Sequence, residues 1–97
     1  MTELGYKLTQ KAKDDFRHIY VYGVQTWGTE AADRYYYALL ERFRRIGERP
    51  YLYQAVDFIR EGYRRSVYGE HSIYYRIVCD AVEVMAILKS QDTDTSL

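Results

Sequence analysis

Ninety-seven residues suffice for one two-layer core and leave no room for a separate regulatory domain. Basic and acidic side chains balance at 14 each, which excludes a polycation that holds nucleic acid by net field alone. Cys79 is the only cysteine, so no internal disulfide or cysteine zinc cluster is possible, and twelve tyrosines within an apolar share of 47% predict a thin core with an aromatic rim.

The opening "MTELGYKL" has no basic segment followed by an apolar run, and no stretch is long and apolar enough to span a bilayer. A soluble, unsecreted, cytoplasmic protein is expected. "GYKLT" alternates and then reaches Thr9, so it reads as a short strand delivered into a helix capped by Thr9. Ala12, Phe16, Ile19, Tyr20, Gly23 and Trp27 recur at three- and four-residue spacing and predict a first amphipathic helix that Gly28 breaks. Thr29 is the expected next cap, with Glu30 and Asp33 in the first turn. The stripe of the second helix is Ala32, Tyr36, Leu39, Leu40, Phe43 and Gly47. One tight turn between two such helices means an antiparallel helical hairpin.

Pro50 ends the hairpin, and "ERPYLYQAVDFIREG" has no clean period, so it reads as a loop with at most one short turn of helix or strand. "YRRSVY", "SIYYRIV" and "VEVMAIL" then alternate as an antiparallel meander, separated by "GEH" and "CDA". The tail "KSQDTDTSL" is polar and expected to fray. The fold expected for residues 1–97 is a single α+β domain, β-α-α-β-β-β, with the helical hairpin on one face of a small antiparallel sheet and the other face partly open.

Catalytic constellations are scarce. Asp14 and Asp15 point to different sides of their helix, Asp92 and Asp94 lie in the tail, and neither pair makes an acid–base site. His18 falls beside the apolar stripe and reads as a surface residue. His71, in the "GEH" turn, reads first as a turn hydrogen-bonder and second as a phosphate contact. Cys79, in an apolar strand, reads as a small core residue. No phosphate loop, metal spacing or nucleophile elbow occurs, so no cofactor or metal is expected.

Arginine and tyrosine carry the remaining signal. Eight arginines, Arg34, Arg42, Arg44, Arg45, Arg49, Arg60, Arg64 and Arg65, outnumber the acids between them and predict a basic face. Alternation sets Ile73, Tyr75 and Ile77 toward the helices and Tyr74 and Arg76 on the open face, joined by whichever of Arg64 and Arg65 points the same way. These arginines are either rim residues lying on tyrosines or a recognition patch. Arg64, Arg65, Tyr74, Arg76 and His71 are the candidate partner contacts, and the inward member of Arg64 and Arg65 is expected to pair with Glu61 or Glu83.

"YKLTQKAKDDFRHIYVYGVQTWG", "AADRYYYALLERFRRIGERP", "GYRRSVYGEHSIYYRI" and "VEVMAIL", in that order from about Tyr6 to Leu88, resemble the ParE toxins of the RelE/ParE superfamily. The resemblance implies the toxin of a type II toxin–antitoxin module. It implies neutralisation by a ParD-like antitoxin that wraps the toxin, with DNA gyrase as the usual target, no membrane partner and DNA met only through antitoxin or gyrase. Arg34, Arg42 and Arg45 are the arginines expected to meet antitoxin acids. The related RelE branch cuts messenger RNA with an arginine and a tyrosine beyond the last strand. Here no arginine, tyrosine or histidine follows Glu83, so ribonuclease action is the alternative, beside a non-toxic co-repressor bound to its antitoxin.

Overall fold

The computed structural model describes residues 5–90. Seven elements follow in chain order: β1 (Tyr6–Leu8), α1 (Gln10–Trp27), α2 (Thr29–Glu48), β2 (Gln54–Ala55), β3 (Arg64–Tyr68), β4 (His71–Val78) and β5 (Ala81–Lys89). The five strands form one sheet in the order β1-β5-β4-β3-β2. The meander β3-β4-β5 is antiparallel as the sequence predicts, but β1 lies parallel to β5, so the sheet is mixed rather than antiparallel. A parallel neighbour requires a long crossover, and the helical hairpin and meander together supply it.

Thr9 ends β1 and starts α1. Its hydroxyl accepts from the Ala12 amide at 3.1 Å, the expected N-cap. Gly28, at φ 94°, closes α1 by donating its N–H to the Val24 carbonyl and also opens α2. Thr29 is therefore the first helical residue and not the cap, because a positive-φ glycine reverses the chain within one position. A Cβ added at Gly47 would lie 2.9 Å from the Gly5 carbonyl carbon, so glycine lets β1 pass against α2.

A β-bulge fixes where α1 meets the sheet. Tyr74 faces Ala86 while Tyr75 faces Val84, which leaves Met85 as the extra residue of β5. Beyond the end of β1, backbone groups of β5 are taken by α1 and its cap: Thr9 donates its hydroxyl to the carbonyl of the bulged Met85 at 3.2 Å, and Asp15 accepts from the Ile87 amide at 3.0 Å. Asp15, silent in the sequence, is thus a structural acceptor.

The main core joins Ala12, Phe16, Leu39, Phe43 and Ile46 of the helices to Ile73, Tyr75, Val82, Val84 and Ile87 of the sheet. Ile73, Tyr75 and Ile77 face the helices as alternation requires. Trp27, expected on the buried stripe, is 45% exposed, and Ile46 takes a core place that the stripe did not include. The far face of the sheet is not open at its centre. Val56, Tyr74, Ala86 and Leu88 form a second cluster there, covered by Ile59 and Tyr63 of the 56–63 loop. Bonds from the Val56 amide to the Tyr63 carbonyl at 2.8 Å and from the Gly62 amide to Asp57 at 2.8 Å hold that loop down. Cys79 is exposed rather than buried, since with Asp80 it makes the two-residue turn between β4 and β5, at φ 50° and 65°.

Candidate functional site

The helical hairpin carries a groove on its outer side. Phe16 and Tyr20 of α1, Tyr36 and Leu40 of α2 and Leu8 of β1 line a cleft of about 400 Å³, rimmed by Lys13 and Arg17. Past Tyr20 and Tyr36 it opens into a second hollow of about 280 Å³ against Asp33 and Tyr37. Phe16 and Tyr36 stack with ring centres 4.5 Å apart, and Tyr37 packs edge-on to Tyr36 while remaining 65% exposed. Tyr20 donates its hydroxyl to Asp33 at 2.6 Å, and that bond, more than burial, holds the phenol above its usual pKa. The arrangement offers an apolar trough with a fixed aromatic wall.

Sequence reasoning placed Phe16, Tyr20, Tyr36 and Leu40 on inward stripes and missed the groove. The available signal was the run Tyr35–Tyr37, too aromatic for one buried stripe.

Among the predicted contacts, the β3–β4 register puts Arg64 opposite Tyr75 on the helix face and Arg65 opposite Tyr74 on the far face. Arg64 donates to the Tyr53 carbonyl at 2.7 Å and lies 5.0 Å over the Tyr51 ring. Arg65 reaches Gln54 at 3.3 Å and the Tyr74 hydroxyl at 3.5 Å, and its Nε is buried without an acceptor. Neither pairs with Glu61 or Glu83. Glu83 instead bonds Arg76, its cross-strand partner, at 2.8 Å. Tyr74 is fully buried at 0% exposure beneath the 56–63 loop, which corrects its expected place on an open face. Arg76 is exposed there, two residues along the same strand face.

Arg34 and Arg45 are exposed on α2, Arg45 near Glu41 at 3.5 Å. Arg42 turns inward instead: it donates to Ser66 Oγ at 2.8 Å and to the Val67 carbonyl at 3.0 Å, with Tyr53 and Tyr68 rings beside it. It braces α2 to β3 through Nη1.

His71 is only 6% exposed and opens β4 rather than sitting in the turn. Tyr35 holds its Nδ1 at 2.8 Å, and burial keeps the imidazole below its usual pKa. Tyr75 donates to the Pro50 carbonyl at 2.6 Å, with burial pushing its phenol up to about 12. No helix among the described residues is long and apolar enough to cross a membrane.

Residues 6–93 match the family model described as the ParE toxin of the type II toxin–antitoxin system parDE. The chain belongs to the ParE toxin family. It is 36% identical over 83 residues to Toxin ParE1 of Caulobacter vibrioides, covering 86% of this chain and 85% of that one. It is 29% identical over 94 residues to Toxin ParE1 of Mycobacterium tuberculosis, covering 95% and 96%. A solved structure titled as the chromosomal ParDE toxin–antitoxin system from P. aeruginosa superimposes with a TM-score of 0.77 at 19% identity, covering 89% of this chain and 95% of that chain. The ParE fold, two helices over a five-stranded mixed sheet, accounts for the whole described chain.

Proposed function

We propose that this chain is the toxin of a ParDE-type pair, neutralised by a ParD-like antitoxin laid in the groove of the helical hairpin, and that its target is DNA gyrase. The groove carries the reading. An amphipathic helix seated against Leu8, Phe16, Tyr36 and Leu40 would cover apolar surface that water now meets, and acids along its flank would meet Lys13, Arg17 and the exposed Arg34. Arg34 stands one turn before Tyr37 on α2, within reach of the same segment.

Inhibition proceeds by occupancy rather than catalysis. Tyrosine and arginine are the side chains that most often anchor protein interfaces, and Arg65 and Arg76, on the far face of the sheet, are the proposed target-facing residues. The test is a supercoiling reaction containing gyrase, plasmid and the purified chain. Accumulation of cleaved DNA bound to gyrase, reversed when ParD-like antitoxin is added, is the expected result. Gyrase turning over normally at saturating chain would overturn the target. Failure of the antitoxin to co-purify with the chain would overturn the pairing.

A further inference from the structure

α1 and the paired ends of β4 and β5 enclose a cleft of about 240 Å³. His71 and Lys89 are cross-strand partners, so both side chains leave the same sheet face, and His18 and Tyr22 descend on them from α1. Ile19 and Ile87 make the apolar wall, whereas the Leu88 side chain belongs to the cluster on the far face of the sheet.

The carboxylate that lines this cleft, Asp15, is engaged by the Ile87 amide and by the Lys11 ammonium, each at 3.0 Å, and Glu70 of the adjoining turn bears on His71. Lys89 has no carboxylate within ion-pair distance among the described residues, and its ammonium lies 5.3 Å over the Tyr22 ring. His18 adds a second nitrogenous group on the exposed side of α1.

His71 supplies an orphan polar atom. The Tyr35 hydroxyl has one proton, and beside the Glu70 backbone it meets the Tyr68 carbonyl at 3.1 Å and His71 Nδ1 at 2.8 Å. Both bonds form together only when the phenol donates to the carbonyl and Nδ1–H donates to the phenol oxygen. In that tautomer Nε2 is the unprotonated nitrogen of a residue that lines the cleft, and no hydrogen bond to it occurs among the described residues. A ligand that brings negative charge makes protonation of Nε2 favourable and turns it into a donor.

We infer that this cleft is a binding site for an oxyanion, phosphate or carboxylate, carried on an apolar or aromatic stem. Lys89 and His18 neutralise the charge, His71 takes up a proton and donates to an anion oxygen, and the stem lies against Tyr22, Ile19 and Ile87. This inference uses neither gyrase nor an antitoxin.

Proton uptake provides a readout that a structural histidine would not give. The groups facing His71 are Tyr35 from α2, Tyr68 from β3, Glu70 from the turn, Lys89 from β5, and Asp15, His18 and Tyr22 from α1. Of these, Glu70 favours the protonated ring and Lys89 opposes it. A bound anion offsets Lys89, so the His71 titration midpoint must rise with occupancy.

The experiment follows both imidazole signals of the full chain by NMR during titration with phenyl phosphate, inorganic phosphate and benzoate, against chloride at matched ionic strength. Saturable shifts, a raised His71 midpoint and binding about tenfold weaker in Lys89→Met are expected. Tighter phenyl phosphate than benzoate assigns the site to phosphates, and the reverse order assigns it to carboxylates. Linear drift equal to that with chloride, or unchanged binding in both Lys89→Met and His18→Gln, would overturn the inference. Both substitutions leave the buried His71 to Tyr35 bond in place, so loss of folding does not confuse the result.

Discussion

Replacing Arg42 by alanine removes the brace between α2 and β3. Ser66 is buried, so its hydroxyl loses a charged donor without gaining water, at roughly 1–3 kcal/mol. The Val67 carbonyl belongs to an exposed residue and rehydrates at small cost. The faces of Tyr68 and Tyr53, 5.1 Å and 5.7 Å from the guanidinium carbon, each lose a cation worth about 0.5–1 kcal/mol. Contributions that share one guanidinium overlap, so the expected total is about 2–3 kcal/mol. For a domain of this size that lowers Tm by roughly 10–20 °C. Arg45→Ala is the control, since an exposed arginine paired only with Glu41 should change stability by less than about 0.5 kcal/mol. Thermal melts by circular dichroism and urea titrations at unchanged m-value measure both. If Arg42→Ala melts within about 2 °C of the parent, or no lower than Arg45→Ala, the brace does not exist as described.

Leu40→Glu places a charge in the apolar groove at a half-buried position, and antitoxin affinity should fall at least about a hundredfold while the far-UV spectrum is kept. Calorimetric titration with unchanged affinity would remove the groove as the docking site. For His71, burial sets the folded pKa below the ordinary 6.5, so the unfolded chain binds the proton more tightly and stability is lost as pH falls through the folded value. Urea midpoints measured from about pH 7 to 5 should therefore decline more steeply in the parent than in His71→Gln, and parallel slopes would contradict the assignment. Asp15→Ala leaves the Ile87 amide at the bulge without an acceptor and should cost about 1–3 kcal/mol, whereas Asp14→Ala, whose partners are the exposed Gln10 and Arg17, should cost under about 0.5 kcal/mol. Equal denaturation midpoints for the two variants would show that water satisfies the bulge.

The elements were legible wherever local chemistry decided them. Thr9 caps α1, Gly28 divides the helices, and the alternation of Ile73, Tyr75 and Ile77 names the core face of β4. What was not legible depended on contacts between distant segments. The parallel β1–β5 pair joins Tyr6 to Val82, and no local pattern in "GYKLT" distinguishes a parallel neighbour from an antiparallel one. Tyr74 sits at an outward register, yet the 56–63 loop folds across it, because a period-free apolar segment gives no sign of where it lands. The expected pairing of Arg64 or Arg65 with Glu61 or Glu83 failed for a related reason. Arg42 and Arg64 reach the Val67 and Tyr53 carbonyls, and acceptors of that kind are invisible to a search for acidic partners. His18, His71 and Lys89 were weighed singly, and only the fold brings them to one cleft.

The tyrosine excess follows from the thinness of a two-layer domain. A phenylalanine would bury a similar ring, but the layers are shallow enough that the far end of each ring reaches a polar group at the margin. Tyr75 fastens the Pro50 loop, Tyr35 ties the Tyr68 turn to His71, and Tyr20 crosses the helices to Asp33. Each hydroxyl thus replaces a hydrogen bond to water with one that joins two segments, worth about 1 kcal/mol apiece and more when a loop is fixed by it. Where no second layer covers the ring, arginine does: Arg42 on Tyr68, Arg64 on Tyr51 and Arg60 on Tyr63. Rings left with neither cover, Tyr37 above all, stand in the groove region. Folding and recognition therefore draw on the same residue type at different depths. Truncating Tyr75 should unfold the chain before it weakens a partner, and truncating Tyr37 should do the reverse.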